Sequence, residues 1–368
     1  MVMVKAKRDD LLNPLSAVSG IIERRHTLPI LSNVLMERAG ENLSFLATDI
    51  EMQITSRGTA GGPGDARAVT VGARKLVEIL RALPSDAEVT LQLQDKRLQL
   101  KAGRSRFTLQ TLPAEDFPRL AKPAGEVARF SVPQRLLRKQ LALVQYAMAQ
   151  QDIRYYLNGL LMVVAGKTLK LVATDGHRLA YSSMPLDAEL PSQDVIVPRK
   201  TVTELGKLLA ESDEPVSVEI SATQAAFSFG SIELVSKLVD GKFPDYTRVI
   251  PTGHRNTLTM DRETLRHALS RAAILSNEKF RGVRWVLTQD SLKIVSSNTE
   301  QEEAVEELEV KYAGDGLDIG FNVTYLLDVL NNVSASDVTA SFGDAASSAL
   351  VEFGAEPDFK YVVMPMRI

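Results

Sequence analysis

The chain has 368 residues, and at the usual ~100–200 residues per domain this length predicts several domains. Hydrophobic residues make up 45% and charged residues 24%, which is typical of folded globular proteins and excludes global disorder. Because the chain contains no cysteine and only four scattered histidines, we expect no disulfide, no cysteine nucleophile, no metal and no other cofactor. The N-terminal segment becomes charged too early for a signal peptide, and no apolar run approaches the ~18 residues of a membrane span, so we expect a cytoplasmic protein.

Three segments of similar pattern recur along the chain: Leu43–Asp49 (LSFLATD), Leu169–Asp175 (LKLVATD) and Leu292–Asn298 (LKIVSSN). The second begins 126 residues after the first, and the third begins 123 residues after the second. Such spacing indicates three tandem copies of one unit. Pro and Gly cluster near 123–126 and 251–254, which predicts domains at 1–125, 126–253 and 254–368.

Each copy contains one segment with the apolar spacing of an amphipathic helix and, further along, a strand-like run that leads into a second short helix. In chain order the predicted helices cover 8–25, 73–83, 132–151, 198–210, 261–276 and 322–333. The remaining runs are short, alternating or β-branched, with turn residues between them, and predict antiparallel hairpins. Each copy is therefore expected to be an α+β domain, with about eight short strands and two helices that share one face of a sheet.

The charges are unevenly distributed, although the formal net charge is only −3. The six helical windows contain 15 Lys or Arg and 8 Asp or Glu, a net of +7, so the rest of the chain carries −10. In the window 132–151, Arg135, Arg138 and Lys139 lie opposite the apolar stripe. A basic helical surface within an acidic shell suits a polyanion held in an enclosure, although solvated amphipathic helices also expose such residues.

The first and third copies have opposite charge, +4 for residues 1–125 and −7 for residues 254–368. Complementary ends allow head-to-tail pairing of two chains, which makes a ring if the rotation closes. The acidic residues between Glu300 and Glu307, which carry much of the negative charge of the third copy, are also consistent with an ordinary solvent-exposed surface. The segments expected to pair combine basic or acidic side chains with apolar neighbours. They are Lys75, Lys101, Arg104, Arg106, Phe107 and Leu109 on one side, and Ile274, Leu275, Glu300, Glu302, Glu303, Glu306 and Glu307 on the other.

Short sequence motifs in all three copies resemble those of the bacterial sliding clamp family, the β subunit of DNA polymerase III. They are Thr27–Leu31 (TLPIL), Gln151–Gly159 (QDIRYYLNG), Ala173–Leu179 (ATDGHRL), Lys237–Tyr246 (KLVDGKFPDY), Ile274–Val283 (ILSNEKFRGV) and Tyr361–Arg367 (YVVMPMR). The resemblance covers essentially the whole chain. It implies a non-catalytic processivity factor: a homodimer closed head to tail into a ring of six domains that encircles duplex DNA and tethers the replicative polymerase.

The resemblance also implies two sets of binding residues. Positions expected to approach DNA are Arg25, Gln151, Arg154, Tyr155, Tyr156 and Lys200. Polymerase, clamp loader and repair proteins are expected to insert a peptide with Leu and Phe anchors into a groove between the second and third domains. Its lining would be Leu157, Thr174, Gly176, His177, Arg178, Leu179, Pro244, Arg248, Val249, Ser348, Val362, Met364, Pro365, Met366 and Arg367. Ala346 stands where the family often has a larger aliphatic residue.

Two other functions fit parts of the sequence. Asp175 and His177 are spaced so that they could form the acid–base pair of a hydrolase, but Asp-Gly between two strand-like runs favours a hairpin turn. The chain also lacks the phosphate-binding and zinc-protease motifs that would indicate an enzyme. A third possibility is an open protein that binds DNA from the side, for which salt-sensitive binding to linear duplex and a monomeric state are expected.

Overall fold

A computed structural model describes residues 2–23, 28–61 and 64–368 of the chain. Its α-helices lie within the six predicted windows. They are α1 (Arg8–Ser19), α2 (Ala73–Ala82), α3 (Gln134–Val144), α4 (Arg199–Leu208), α5 (Arg262–Ala272) and α6 (Val323–Asn332). The windows 8–25, 132–151 and 261–276 were too long. The first helix ends at Ser19, and α3 and α5 each give way to one 3-10 turn, at Gln145–Ala147 and Ala273–Leu275.

The predicted helical stripes are buried, which explains why these segments are helical in the folded chain. On α3, Leu137 and Leu141 are each 1% exposed. Arg138 on the same helix is exposed, as the pattern predicts. Side chains also cap two helices: Asp261 accepts a hydrogen bond from the Thr264 backbone N–H at the start of α5 (2.7 Å), and Asn322 accepts one from Thr324 at the start of α6 (2.9 Å).

The strands are antiparallel throughout. They are β1 (Val2–Lys7), β2 (Asn33–Ala39), β3 (Asn42–Thr48), β4 (Met52–Thr59), β5 (Arg67–Gly72), β6 (Glu88–Gln94), β7 (Arg97–Ala102), β8 (Ser105–Leu112), β9 (Ala128–Pro133), β10 (Gly159–Thr174), β11 (Arg178–Pro198), β12 (Pro215–Ile220), β13 (Gln224–Phe229), β14 (Ile232–Lys237), β15 (Asn256–Asp261), β16 (Gly282–Thr288), β17 (Ser291–Ser297), β18 (Glu303–Glu309), β19 (Lys311–Tyr312), β20 (Leu317–Asn322), β21 (Asp337–Phe342), β22 (Ala349–Glu352) and β23 (Phe359–Val363).

The strands form three sheets in two compact units, which are residues 1–136 with 203–238, and residues 137–202 with 239–368. The first unit contains one sheet in the order β1-β6-β7-β8-β5-β2-β3-β4-β14-β13-β12-β9. The second unit contains one sheet in the order β10-β11-β23-β22-β21-β15-β19 and another in the order β18-β17-β16-β20.

Two of these sheets run across the predicted domain boundaries. In the first unit β4 pairs with β14, which we call the first junction; in the second unit β11 pairs with β23, which we call the second junction. The compact units therefore do not coincide with the repeats, and the boundaries 1–125, 126–253 and 254–368 stay a prediction. The expectation of eight short strands per copy was wrong for the second copy, where β10 and β11 form one long hairpin with a register irregularity at Gly166.

None of the helices in the described ranges combines the length and apolar content that crossing a bilayer requires. Within the same ranges, no group of three or more His, Asp or Glu side chains converges as a metal site would.

Candidate functional site: an apolar cavity beside the second junction

The turn between β10 and β11 is held by its own aspartate. Asp175 Oδ1 accepts hydrogen bonds from the backbone N–H groups of His177 (2.9 Å) and Arg178 (3.0 Å). Gly176 has a φ of +89°, a conformation that glycine adopts without steric cost. The prediction of a hairpin turn is confirmed. The other carboxylate oxygen of Asp175 is 3.1 Å from Arg178 Nε, and the His177 ring stacks on Tyr325, so the two side chains are engaged as turn and packing groups rather than with each other.

Arg178 is the centre of a buried polar network below this turn. Its guanidinium donates to Asp328 Oδ2 (2.5 Å) and to the backbone carbonyl of Tyr146 (2.8 Å). It also lies 4.5 Å from the centroid of the Tyr325 ring, within the range of a cation–π contact. Burial acts to lower the pKa of Arg178, but the Tyr361 hydroxyl and the nearby carboxylates outweigh burial, and the pKa is raised above the ordinary arginine value. Arg178 therefore stays charged and ties the turn to α6.

Two tyrosines complete the network. Tyr361 on β23 donates from its hydroxyl to the Tyr325 backbone carbonyl (2.8 Å), and its ring lies 5.9 Å from that of Tyr146. The Tyr146 hydroxyl is buried without a hydrogen-bond partner among the described residues, and burial raises the pKa of Tyr146 well above its usual value. The satisfied hydrogen bonds of Arg178 and Tyr361 fix the geometry of the surrounding elements, and the unpartnered Tyr146 hydroxyl contributes nothing to this.

A cavity of about 200 Å³, which we call the junction cavity, opens beside the turn, over an apolar floor. The floor belongs to a buried cluster that includes Leu161, Val172 and Phe243. A concave apolar site with a few polar groups at its edge is the usual form of a ligand pocket. The cavity is lined by Arg154, Tyr156, Leu157, Thr174, Gly176, His177, Arg178, Leu179, Phe243, Pro244, Tyr246, Val249, Val362 and Met364.

Most of the predicted peptide-binding residues meet in this cavity. Those outside its lining are Arg248, Ser348, Pro365, Met366 and Arg367. Arg248 instead pairs with Asp245 (3.0 Å), and Met366 and Arg367 line a separate cavity on the β16–β17 face. Ala346, the departure from the family pattern, is exposed in a turn where its N–H donates to Asp344.

Four lining residues were not predicted for the peptide site. Phe243 and Tyr246 lie in the Lys237–Tyr246 motif on either side of Pro244, which was predicted to line the groove. Their proximity to Pro244 in the sequence could have identified them as lining residues. Arg154 and Tyr156 were predicted to approach DNA. Arg154 pairs with Asp152 (2.8 Å), and its hydrogen bonds are the main reason that the pKa of Asp152 is lowered to about 2.

The remaining DNA-binding predictions are scattered. Arg25 lies outside the described residues. Gln151 is exposed with a φ of +54°, and Tyr155 is 57% exposed. Lys200 is half-buried in the first turn of α4. Contact of any of these residues with DNA stays a prediction.

The predicted interface residues form two groups, one in each compact unit. In the first unit, Arg104 and Arg106 are exposed, Phe107 and Leu109 are half-buried on β8, and Lys75 is exposed on α2.

In the second unit, Ile274 is 77% exposed, an unusual value for isoleucine, and Leu275 follows it. Glu300 and Glu302 are exposed just before β18, and Glu303, its first residue, is exposed as well. Glu306 already pairs with Arg271 of α5 (2.5 Å).

Comparison with known proteins identifies the family. Three family profiles match in order: the N-terminal, central and C-terminal domains of the DNA polymerase III beta subunit, over residues 2–121, 131–245 and 247–367. The chain is 49% identical over 365 residues to the beta sliding clamp of Pseudomonas aeruginosa and 47% identical over 362 residues to that of Escherichia coli K12, covering 98% of this chain and 99% of each relative.

Solved structures agree with this assignment. A sliding clamp from Pseudomonas aeruginosa bound to griselimycin superimposes with a TM-score of 0.96 at 47% identity, covering 100% of both chains. A Caulobacter crescentus beta sliding clamp gives 0.95 at 39% identity, covering 100% of this chain and 99% of that one. The chain therefore belongs to the family of the DNA polymerase III beta subunit, the beta sliding clamps.

Proposed function

We propose that two copies of this chain close head to tail around duplex DNA in the cytoplasm and tether the replicative polymerase and other replication and repair proteins, without catalysing a reaction. The observation that carries the proposal is the match of all three repeats, in order and over nearly the whole length, to beta sliding clamps. A tether that must slide needs contacts to phosphate and no reading of base edges. The exposed Arg and Lys side chains of the helices supply that chemistry.

The two junctions within the chain supply a template for assembly, because they share one register. At the first junction Met52 faces Ser236, and Lys237 N–H donates to the Glu51 carbonyl (2.9 Å). At the second junction Arg178 faces Val363, and Met364 N–H donates to the His177 carbonyl (2.9 Å). The repeat thus joins to the next one by the same strand pair each time.

The corresponding strands that lack this partner in one chain are β18 of the third repeat and β8 of the first. β18 is an edge strand of its sheet, and residues 105–110 of β8 pair with β7 on one side only, among the residues described. Unpaired edges favour strand addition. Carrying the junction register over, Thr108 of one copy faces Glu303 of the other, and Leu109 faces Glu302. This pairing sets the basic β8 edge against the acidic run of β18.

The cavity is proposed to hold the Leu and Phe anchors of partner peptides. Its floor is apolar, and Met364, which is 44% exposed, offers a flexible and polarisable wall that adapts to different anchors. One shared cavity per chain implies that partners compete for it.

The test is retention on DNA. The protein is loaded by a bacterial clamp loader and ATP onto nicked circular plasmid, separated from free protein by gel filtration, and one half of the sample is then cut with a restriction enzyme. We expect retention on the circle and release from the linear product, because confinement holds the clamp. Equal retention on both, falling with salt, would instead support an open protein that binds DNA from the side.

A further inference from the structure

The three repeats place the same strand pair at the same position, but with different side chains. Leu35 faces Leu46 in the first repeat, and Arg284 faces Val295 in the third. In the second repeat the corresponding residues, Leu161 and Val172, both lie on β10, where they face Ile196 and Tyr181 of β11 and belong to one buried cluster. A later segment of the chain bonds to the neighbouring strand in the same way in the second and third repeats. Val239 N–H donates to the Ile196 carbonyl (2.9 Å) in the second, and Met366 N–H donates to the Gly320 carbonyl (2.9 Å) in the third.

In the first two repeats an aromatic side chain covers this strand pair. Phe117 packs with Leu35 and Leu46, and Phe243 belongs to the cluster of Leu161 and Val172. Both phenylalanines are followed by proline and lie in the segments that lead out of their repeats. In both repeats the phenylalanine of a Phe-Pro pair fills this position.

In the third repeat the same position borders a cavity of about 540 Å³, which we call the third-repeat cavity. Its walls correspond to those of the junction cavity. Phe280 lies two residues before Gly282, as Leu157 lies two residues before Gly159, and Ser297 ends β17 as Thr174 ends β10. The lining is Asn277, Phe280, Gly282, Arg284, Val295, Ser296, Ser297, Glu303, Met366, Arg367 and Ile368.

Two glycines let the last residues of the chain form one wall of this cavity. A Cβ atom at Gly320 would lie 2.7 Å from Ile368 Cδ1, and one at Gly282 would lie 3.2 Å from it. Ile368 thus occupies the space that the Ile196 side chain takes in the second repeat. Phe280 and Ile368 remain 58% and 67% exposed, which is unusual for large apolar side chains.

We propose that the third-repeat cavity is a second peptide site, which accepts in trans the aromatic side chain that Phe117 and Phe243 supply in cis. Phe280 and Val295 provide apolar contact, and the Arg284 guanidinium, exposed beside them and paired with Asp318, offers a cation to the ring face. Glu303 at the rim complements a basic residue on the ligand, as the lysine before Phe243 would provide. The site adds to the proposed function a partner class distinct from the Leu/Phe-anchored peptides.

The probe is a fluorescein-labelled peptide with the sequence of Val239–Tyr246 (VDGKFPDY), titrated with the full chain and followed by anisotropy. We expect saturable binding that is lost when alanine replaces the peptide's phenylalanine. Two exposed residues give a matched pair of variants. Phe280→Ala should weaken binding about tenfold, because it removes an apolar contact that the bound peptide would bury, whereas Met364→Ala in the junction cavity should leave binding within about twofold of the parent. Ser297→Trp, which fills the third-repeat cavity, should abolish binding.

The proposal is wrong if the parent chain does not bind the probe, if the alanine peptide binds equally well, or if the loss follows Met364→Ala rather than Phe280→Ala. Sedimentation of the same samples reports ring assembly independently. Normal dimers that fail to bind the probe would reject the second peptide site and leave the proposed clamp function standing. Monomers that bind the probe would support the second peptide site and contradict the proposed ring.

Discussion

The first and second repeats build the same turn at the same place in the sheet and use it differently. In the first repeat, Asp49 Oδ1 accepts hydrogen bonds from the N–H groups of Glu51 (3.0 Å) and Met52 (2.8 Å). In the second, Asp175 Oδ1 accepts them from the residues two and three positions further on, His177 and Arg178. The backbone frame is therefore shared. What differs is the side chains after it and the segment that crosses them.

At the next position the first repeat has Gln53, whose side-chain carbonyl accepts from the Leu120 N–H (2.9 Å) and so fixes the linker against the sheet beside Phe117. The second repeat has Leu179, which leaves an apolar wall and an open cavity. The comparison teaches that one frame carries two uses: in the first repeat a polar side chain holds the linker on the sheet, and in the second an apolar side chain lines an open cavity. Exchanging residues at corresponding positions of the two repeats tests how far each use depends on its side chains.

The largest effect is expected from Arg178→Met, which installs the Met52 counterpart. The change leaves Asp175 and Asp328 without their cation inside the network, and removing one partner of a buried ion pair costs about 3 kcal/mol of the free energy of unfolding. Urea unfolding measures it. The control, Arg248→Ala, removes a largely exposed ion pair and should cost less than about 0.5 kcal/mol. Equal stability of Arg178→Met and the parent would show that the network does not hold the turn.

A smaller effect is expected from Met364→Lys, which installs the Lys237 counterpart at the mouth of the cavity. A fluorescent peptide Ala-Leu-Ser-Leu-Phe should bind about tenfold more weakly, because an apolar wall is lost and a charge must be desolvated. The matched reverse change in the first unit, Lys237→Met, should leave the affinity unchanged. Should both variants weaken binding alike, the peptide does not use this cavity.

The smallest effect concerns the turn backbone. Gly176 has a counterpart in Ile50, which holds a φ of +70° although it is β-branched. Ile50→Gly should raise the free energy of unfolding by about 0.5–1 kcal/mol, since the left-handed strain exceeds the entropic cost of glycine. Gly176→Ala should lower it, because a Cβ there would also lie 2.9 Å from the Arg154 guanidinium. Thermal unfolding of both variants measures these changes in stability. An Ile50→Gly variant less stable than the parent would contradict the claim that Ile50 is held in a strained conformation.

The sequence pattern predicted what local periodicity and repetition determine. Apolar stripes placed the first helix of each copy, a strand-like run leading into a short helix placed the second, and the Asp175-Gly176 pair predicted the turn, because a helix or hairpin is specified by residues close in the chain. The words of the resemblance brought most of the cavity lining together, from Leu157 to Met364, across distant parts of the sequence.

The rest depends on long-range contacts that no local pattern contains. The pairing of β4 with β14 and of β11 with β23 joins segments more than a hundred residues apart, so the sheets cross the predicted boundaries. The Arg178 network draws on Tyr146 and Asp328 from different elements. Phe243 was missed for the same reason: its role depends on the strand pair it covers.

One measurement tests closure around DNA most directly. Because the chain has no cysteine, Thr108→Cys and Glu303→Cys can be introduced together, and the junction register places them in a facing, hydrogen-bonded pair whose ~5.5 Å Cα separation permits a disulfide. After loading onto circular DNA and oxidation, the covalent ring should stay on the circle in denaturant and leave only when the DNA is cut; the control pair, Thr108→Cys with Glu302→Cys, should link poorly. Release of the cross-linked protein from intact circles by denaturant would contradict encirclement.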